Sequence, residues 1–90
     1  MSVFEWSASK NEWLKLEREV CFEDVVVAIQ SGGLIDVVFH KNQQKYPGQK
    51  MFIVEIYAYA YLVPFMEDEE KIFLKTIFPS RKATKFYLSR

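Results

Sequence analysis

The stretch Ile72-Phe73-Leu74-Lys75-Thr76-Ile77-Phe78-Pro79-Ser80-Arg81-Lys82-Ala83-Thr84-Lys85-Phe86-Tyr87-Leu88 decides how this chain is read. Its first part, Ile72 to Phe78, is strongly apolar and reads as one strand. Pro79 and Ser80 stop that strand, and a short basic helix follows from Ser80 to Leu88, with Arg81, Lys82 and Lys85 in its first two turns. Cations normally favour the other end of a helix, because the backbone dipole makes the N-terminus positive. Placing them at the start costs a little stability. A phosphate or an acidic partner would supply the missing negative charge.

Upstream of this stretch the hydrophobic period changes twice. Phe4-Glu5-Trp6 reads as a short first strand, and Ser7 or Ser9 caps a helix from about Ala8 to Glu19. Trp13, Leu16 and Val20 are its expected buried stripe. Phe22, Val25, Val26 and Ile29 fall at i, i+3, i+4 and i+7, which places a second helix over Phe22 to Gln30, ended by Gly32-Gly33. Beyond the glycines the period becomes two. Leu34 to His40 is a strand, Lys41 to Gln49 a polar loop with a Pro47-Gly48 turn, and Lys50 to Tyr57 a long strand. On that long strand Phe52, Val54 and Ile56 share one face, and Ile53, Glu55 and Tyr57 the other. A reversal near Ala58-Tyr59 leads into a strand over Tyr61 to Met66, where Pro64 belongs at a bulge or on a free side. Glu67-Asp68-Glu69-Glu70 makes an acidic turn before the strand Ile72 to Phe78. The expected order is β-α-α-β-β-β-β-α: an α+β domain with a twisted, mainly antiparallel sheet and its helices packed on one face.

Composition narrows the classes. Ninety residues form a single domain, 1–90, with 50% hydrophobic, 17% aromatic and 27% charged residues, which is a globular and not a disordered balance. Cys21 is the one cysteine, so no internal disulfide forms, and a reducing cytoplasm is the expected location. No apolar run is long enough for a membrane span, and the N-terminus lacks the basic and apolar regions of a signal peptide. The net charge is zero but uneven. Residues 1–36 hold seven acids against three bases, whereas residues 71–90 hold six bases and no acid. A neutral total argues against a dedicated nucleic-acid coat protein, yet a local basic face can hold a few phosphates.

Two terminal words carry a family resemblance. Phe4-Glu5-Trp6, then Lys10-Asn11, then Phe22-Glu23-Asp24 resembles the opening of BrnT-type toxins; Ser80-Arg81-Lys82-Ala83-Thr84-Lys85 followed by Tyr87 resembles their closing motif. Those toxins belong to type II toxin–antitoxin pairs and share the fold of the RelE/ParE-like toxins. They act as ribonucleases and are neutralised by a DNA-binding antitoxin, often of ribbon-helix-helix type. The resemblance therefore implies a RelE/BrnT-like fold, metal-independent RNA cleavage, and a cognate antitoxin encoded nearby as partner. The alternative is a toxin-like module that binds protein without catalysis, a reading favoured by the neutral charge and the tyrosine-rich strands.

Metal-free RNA cleavage needs a base for the 2′-hydroxyl, an acid for the leaving oxygen, and cations for the charge that builds on phosphorus. Arg81 and Lys82 are the candidate phosphate ligands, Arg81 foremost because its planar fork binds phosphate through two hydrogen bonds. His40 suits proton transfer at neutral pH, or is simply a hydrogen-bonded residue at a strand end. Tyr87 is the second candidate for proton transfer or stacking, with Phe86 expected to dock the terminal helix on the sheet. Lys85, Lys10, Lys75, Lys45 and Tyr46 complete the candidate RNA-binding set. Lys10 and Asn11 read as exposed polar positions before phosphate contacts, and Tyr57, Tyr59 and Tyr61, on one face of an extended segment, as packing or interface residues before stacking platforms for bases. Cys21 is read as a small helix-start residue. No Gly-rich phosphate loop, Cys-x-x-Cys pair or His-Glu-x-x-His motif is present, so no cofactor or metal is expected.

Overall fold

The computed structural model describes residues 3–89. Nine elements follow one another: β1 (Val3–Glu5), α1 (Ala8–Arg18), α2 (Phe22–Gln30), β2 (Leu34–Phe39), β3 (Lys50–Ile56), β4 (Tyr59–Glu67), β5 (Lys71–Leu74), β6 (Phe78–Pro79) and α3 (Arg81–Leu88). They make an α+β fold with three helices on a mixed six-stranded open sheet. The strand order is β1-β5-β4-β3-β2, with β6 also pairing β4. β1 runs parallel to β5, and every other pairing is antiparallel.

The expected single strand Ile72–Phe78 is in fact two. Leu74 and Ile77 are both fully buried in the same core cluster, and a pleated strand with period two cannot turn residues three apart to one face. The chain leaves the ladder after Leu74 and rejoins β4 at Phe78. Pro64 lies opposite the gap, between the residues of β4 that pair β6 (Tyr61, Leu62) and those that pair β5 (Phe65 to Glu67). Its carbonyl accepts the Lys75 N–H at 2.8 Å on that side, so the proline's missing donor faces the interruption. Arg18 of α1 donates to the carbonyl of Ile77 and satisfies a group the ladder has dropped.

Both faces of the sheet are covered, which corrects the expected one-faced packing. Met51, Phe52, Ile53 and Val54 are all buried, as consecutive strand residues can be when each face has a cover. On one face Phe52, Val54, Val63, Phe65, Leu74 and Ile77 pack with Leu14 of α1 and Phe22 and Val25 of α2. On the other, Ile53 and Ala60 pack with Ala83 of α3, flanked by Ile35, Val38, Leu62, Tyr87 and Leu88.

The helix ends follow their caps. Ser7 Oγ accepts the Lys10 N–H at 3.2 Å, and Asp24 Oδ2 accepts the Cys21 N–H at 3.1 Å at the start of α2. Of the stripe expected for α1, Val20 is buried just past the helix end, but the other two members are not. Leu16 is 82% exposed and Trp13 partly exposed, while Asn11, Leu14 and the half-buried Arg18 turn inward at i, i+3 and i+7. Two of those three are polar, which hides the helix's inner face from hydropathy. Asn11 explains its own burial: its Oδ1 accepts the Phe22 N–H at 2.7 Å and its Nδ2 donates to Glu23 Oε1 at 2.8 Å, so α1 caps α2. Gly33 then turns the chain into β2. A Cβ there would stand 3.0 Å from the carbonyl oxygens of Ala28 and Glu55, a close approach of backbones that favours glycine.

Candidate functional site

The start of α3 is clasped to β4. Ser80 N donates to Ala60 O at 3.0 Å, Ser80 Oγ accepts the Ala83 N–H at 3.0 Å, and Thr84 Oγ1 accepts the Ala60 N–H at 2.9 Å while donating to Ser80 O at 2.8 Å. The small, buried Ala83 lets the helix approach the sheet. With that face fixed, Arg81, Lys85 and Lys82 fall within an arc of about 100° on the opposite, exposed side. The first turn of α3 carries no acid. Ion pairs among the described residues join Lys15 to Glu12, Lys50 to Glu67 and Lys71 to Glu5, and leave the three α3 cations unbridged.

A groove of about 390 Å³ opens between α3 and the end of β2. Val38, Met51, Ile53, Leu62 and Ala83 line it with apolar atoms, Phe86 and Tyr87 lie along the helix side, and Lys41 and Lys82 contribute its cations. Its lining includes no carboxylate and no histidine.

The last helical turn reverses one expectation. Phe86 does not dock the helix; it is 78% exposed. Tyr87, four residues after the buried Ala83, is the residue on the inner side, and its hydroxyl donates to Asp36 Oδ2 of β2 at 3.0 Å. The two rings meet edge to face at 4.8 Å. That hydrogen bond to Asp36 raises the Tyr87 pKa above its ordinary 10.0, so the phenol keeps its proton at neutral pH. Tyr87 is thus a latch between α3 and β2, with its phenolic proton engaged by Asp36.

His40 follows β2 and does not line the groove. Its Nδ1 accepts the Asn42 N–H at 3.0 Å, which leaves Nε2 as the nitrogen open to a ligand. Its ring lies 4.4 Å from that of Tyr46, over which Lys45 Nζ sits at 5.4 Å. The loop is tied internally: Gln43 Nε2 donates to His40 O, Gln43 Oε1 accepts the Gly48 N–H, and Asn42 Oδ1 accepts the Lys45 N–H. Lys75 joins this group by donating to Oε1 of the buried Gln49 at 3.0 Å. His40, Lys45, Tyr46 and Lys75 therefore gather around one loop, and Lys41 connects it to the groove.

Lys10 is elsewhere. It belongs to α1 on the other face of the sheet, where its Nζ lies 4.2 Å over the Trp13 ring and Arg18 lies 4.9 Å from the same ring. Asn11 is a buried structural residue and not the exposed polar position expected. Tyr57 sits in the β3–β4 turn at φ 54° and is 79% exposed, so it does not share an extended face with Tyr59 and Tyr61. Tyr61 packs against the α1–α2 side of the core, and burial pushes its pKa up. Cys21 is the N-cap residue of α2, with a thiol pKa raised chiefly by burial.

Lys41, Phe86 and Asp36 are the site residues the sequence left out. Lys41 had a visible signal, since it follows His40 and opens the basic loop. Asp36 had none, because its role depends on a helix that returns to β2 from 51 residues away.

Among the described residues no group of three or more His, Cys, Asp or Glu side chains gathers to hold a metal, and no helix is long and apolar enough to cross a membrane. Comparison with protein-family models, curated proteins and solved structures finds no match.

Proposed function

We propose that this chain is the ribonuclease toxin of a type II toxin–antitoxin pair, with a RelE/BrnT-like fold, acting in the cytoplasm and neutralised by a DNA-binding antitoxin. The observation that carries the reading is the exposed face of α3. Arg81, Lys82 and Lys85 share that exposed side, unbridged by acids among the described residues, and Arg81 and Lys82 stand in the first turn, where a cation is least favoured. Such a surface gains most from a phosphate backbone. RNA would follow that face toward Lys41 and the loop of Lys45 and Tyr46, with Arg81 and Lys82 stabilising the phosphorane charge. His40 is the proton-transfer candidate through Nε2. Tyr87, being held protonated, would act as a donor or as a support for α3.

Expressing the Arg81→Ala/Lys82→Ala protein tests this. Growth arrest should disappear while circular dichroism and melting temperature stay close to the parent's. If the double variant remains as toxic at equal expression, the site is misassigned.

The exposed Phe86 and the apolar groove favour a second reading, a protein-binding module that arrests growth without cutting RNA. RNA from arrested cells separates the two: intact transcripts support the binding module, and fragments sharing a cleavage context support the nuclease.

A further inference from the structure

We propose that the groove beside α3 receives an amphipathic helix with an acidic flank, supplied by a protein partner. Three observations point to this occupant.

First, the groove is chemically one-sided. Apolar atoms dominate its lining, its charged members are Lys41 and Lys82, and Arg81 and Lys85 stand beyond the rim. The complement is an apolar ridge bordered by carboxylates. A nucleobase fits the same space poorly. Its polar edge would lie against Val38, Met51, Ile53 and Leu62, and the nearby Ser80 hydroxyl is already spent on capping α3, so donors and acceptors would be buried without partners.

Second, Phe86 is a large apolar side chain left 78% exposed one helical turn after Lys82. An aromatic ring beside a cation at i, i+4 is a surface anchor that gains from desolvation by a partner.

Third, the partner cannot easily add as a strand. The Val37 N–H on β2 donates to Asp36 Oδ1 at 2.8 Å, and the other oxygen of the same carboxylate holds Tyr87 at 3.0 Å. Pairing a new strand with β2 would displace that carboxylate and release the α3 latch. A helix that inserts side chains at i, i+3, i+4 and i+7 leaves both bonds in place.

The probe is a synthetic amphipathic helix with leucines at i, i+3, i+4 and i+7 and glutamates on its flanks, compared with the same peptide carrying lysines. Fluorescence anisotropy and amide chemical shifts of the full chain are the readouts. The acidic peptide should bind saturably and shift Val38, Ile53, Leu62 and Phe86, with the basic peptide at least about tenfold weaker. Phe86→Ala should weaken the acidic peptide about tenfold with circular dichroism unchanged. Lys41→Glu/Lys82→Glu should reverse the preference between the peptides. Equal binding of both, no saturable binding of either, or a uridine oligonucleotide shifting the same floor residues would each overturn the proposal. The inference does not depend on nuclease activity, since charge-selective peptide binding by a chain that leaves RNA intact removes the nuclease reading alone.

Discussion

Replacing Asn11 with alanine should destabilise the domain far more than replacing any residue of the α3 cation set. Asn11 is 5% exposed and makes two hydrogen bonds across the α1–α2 corner, one to the buried Phe22 N–H and one to Glu23. Alanine leaves the Phe22 amide without a partner, at a cost of roughly 1–3 kcal/mol, and loses the bond to the carboxylate, worth about another 1 kcal/mol because Glu23 is exposed. The total of about 2–4 kcal/mol is a large share of the roughly 5–15 kcal/mol that holds a domain of this size together. It corresponds to a fall in melting temperature of roughly 10–20 °C. Urea titration followed by circular dichroism measures it, and the midpoint should move with the slope unchanged. Asn11→Asp is the informative control. It keeps an acceptor for the Phe22 amide but sets a second carboxylate against Glu23, so its loss should be smaller and should shrink further when Glu23→Gln is added. An alanine variant within about 0.5 kcal/mol of the parent, the range of ordinary surface changes, would refute this account of the corner.

The hydrogen bond from Asn11 lowers the Glu23 pKa below its ordinary 4.5, so the folded protein binds fewer protons there than the unfolded one. That contribution is complete above pH 4.5 and disappears as pH falls through the folded value; acid titrations of stability should lose this part of their slope in Asn11→Ala. At Tyr87 the sign is opposite. The raised pKa favours the neutral phenol in the fold, so its contribution stands below pH 10 and fades as pH climbs past the folded value. Asp36→Asn should bring Tyr87, one of two late-ionising tyrosines with Tyr61, back toward its ordinary value in a phenolate absorbance titration, and an unchanged titration would remove the latch. The β3–β4 reversal holds Tyr57 at φ 54° and Ala58 at φ 63°, both left-handed and both paired with the wrong residue types. Tyr57→Asn/Ala58→Gly should raise the urea midpoint by the equivalent of about 1–2 kcal/mol.

Most element positions were legible because local rules decide them. Ser7, the α2 stripe of Phe22 and Val25, and the glycines after Gln30 each act within a few residues, and the helices lie where those signals place them. Legibility ended where a distant partner decides. The inward turn of Asn11 depends on the amide of Phe22, the break after Leu74 on burial of Ile77, and the phase of α3 on Ala83 meeting Ala60. The exchange of Phe86 and Tyr87 follows from the last. Hydropathy alone prefers to bury phenylalanine, but the inward position lies within reach of Asp36, where a hydroxyl finds an acceptor and a phenyl ring would not. The exposure of Arg81, Lys82 and Lys85 was legible because charged side chains on a short helix need no long-range partner to stay in solvent.

One signal of two-sided coverage was present in β3. Met51-Phe52-Ile53-Val54 is a continuous apolar run, which a sheet wetted on one face would not carry. With α1 and α2 on the Phe52–Val54 face, the Met51–Ile53 face falls to α3. Yet α3 has eight residues, a length of about 12 Å. It spans from Ala60 on β4 to Asp36 on β2, two strand spacings of about 4.8 Å each, and reaches no further. The helix is therefore too short to roof the face it closes. Apolar surface remains open beside it at Phe39, 63% exposed, and beyond it Met66 at the far end of β4, Phe73 of β5 and Val3 of β1 stay 43%, 41% and 56% exposed. The gap in the cover thus follows from where α3 is held: clasped at Ala60 of β4 and latched at Asp36 of the edge strand β2, it leaves β5 and β1 outside its span.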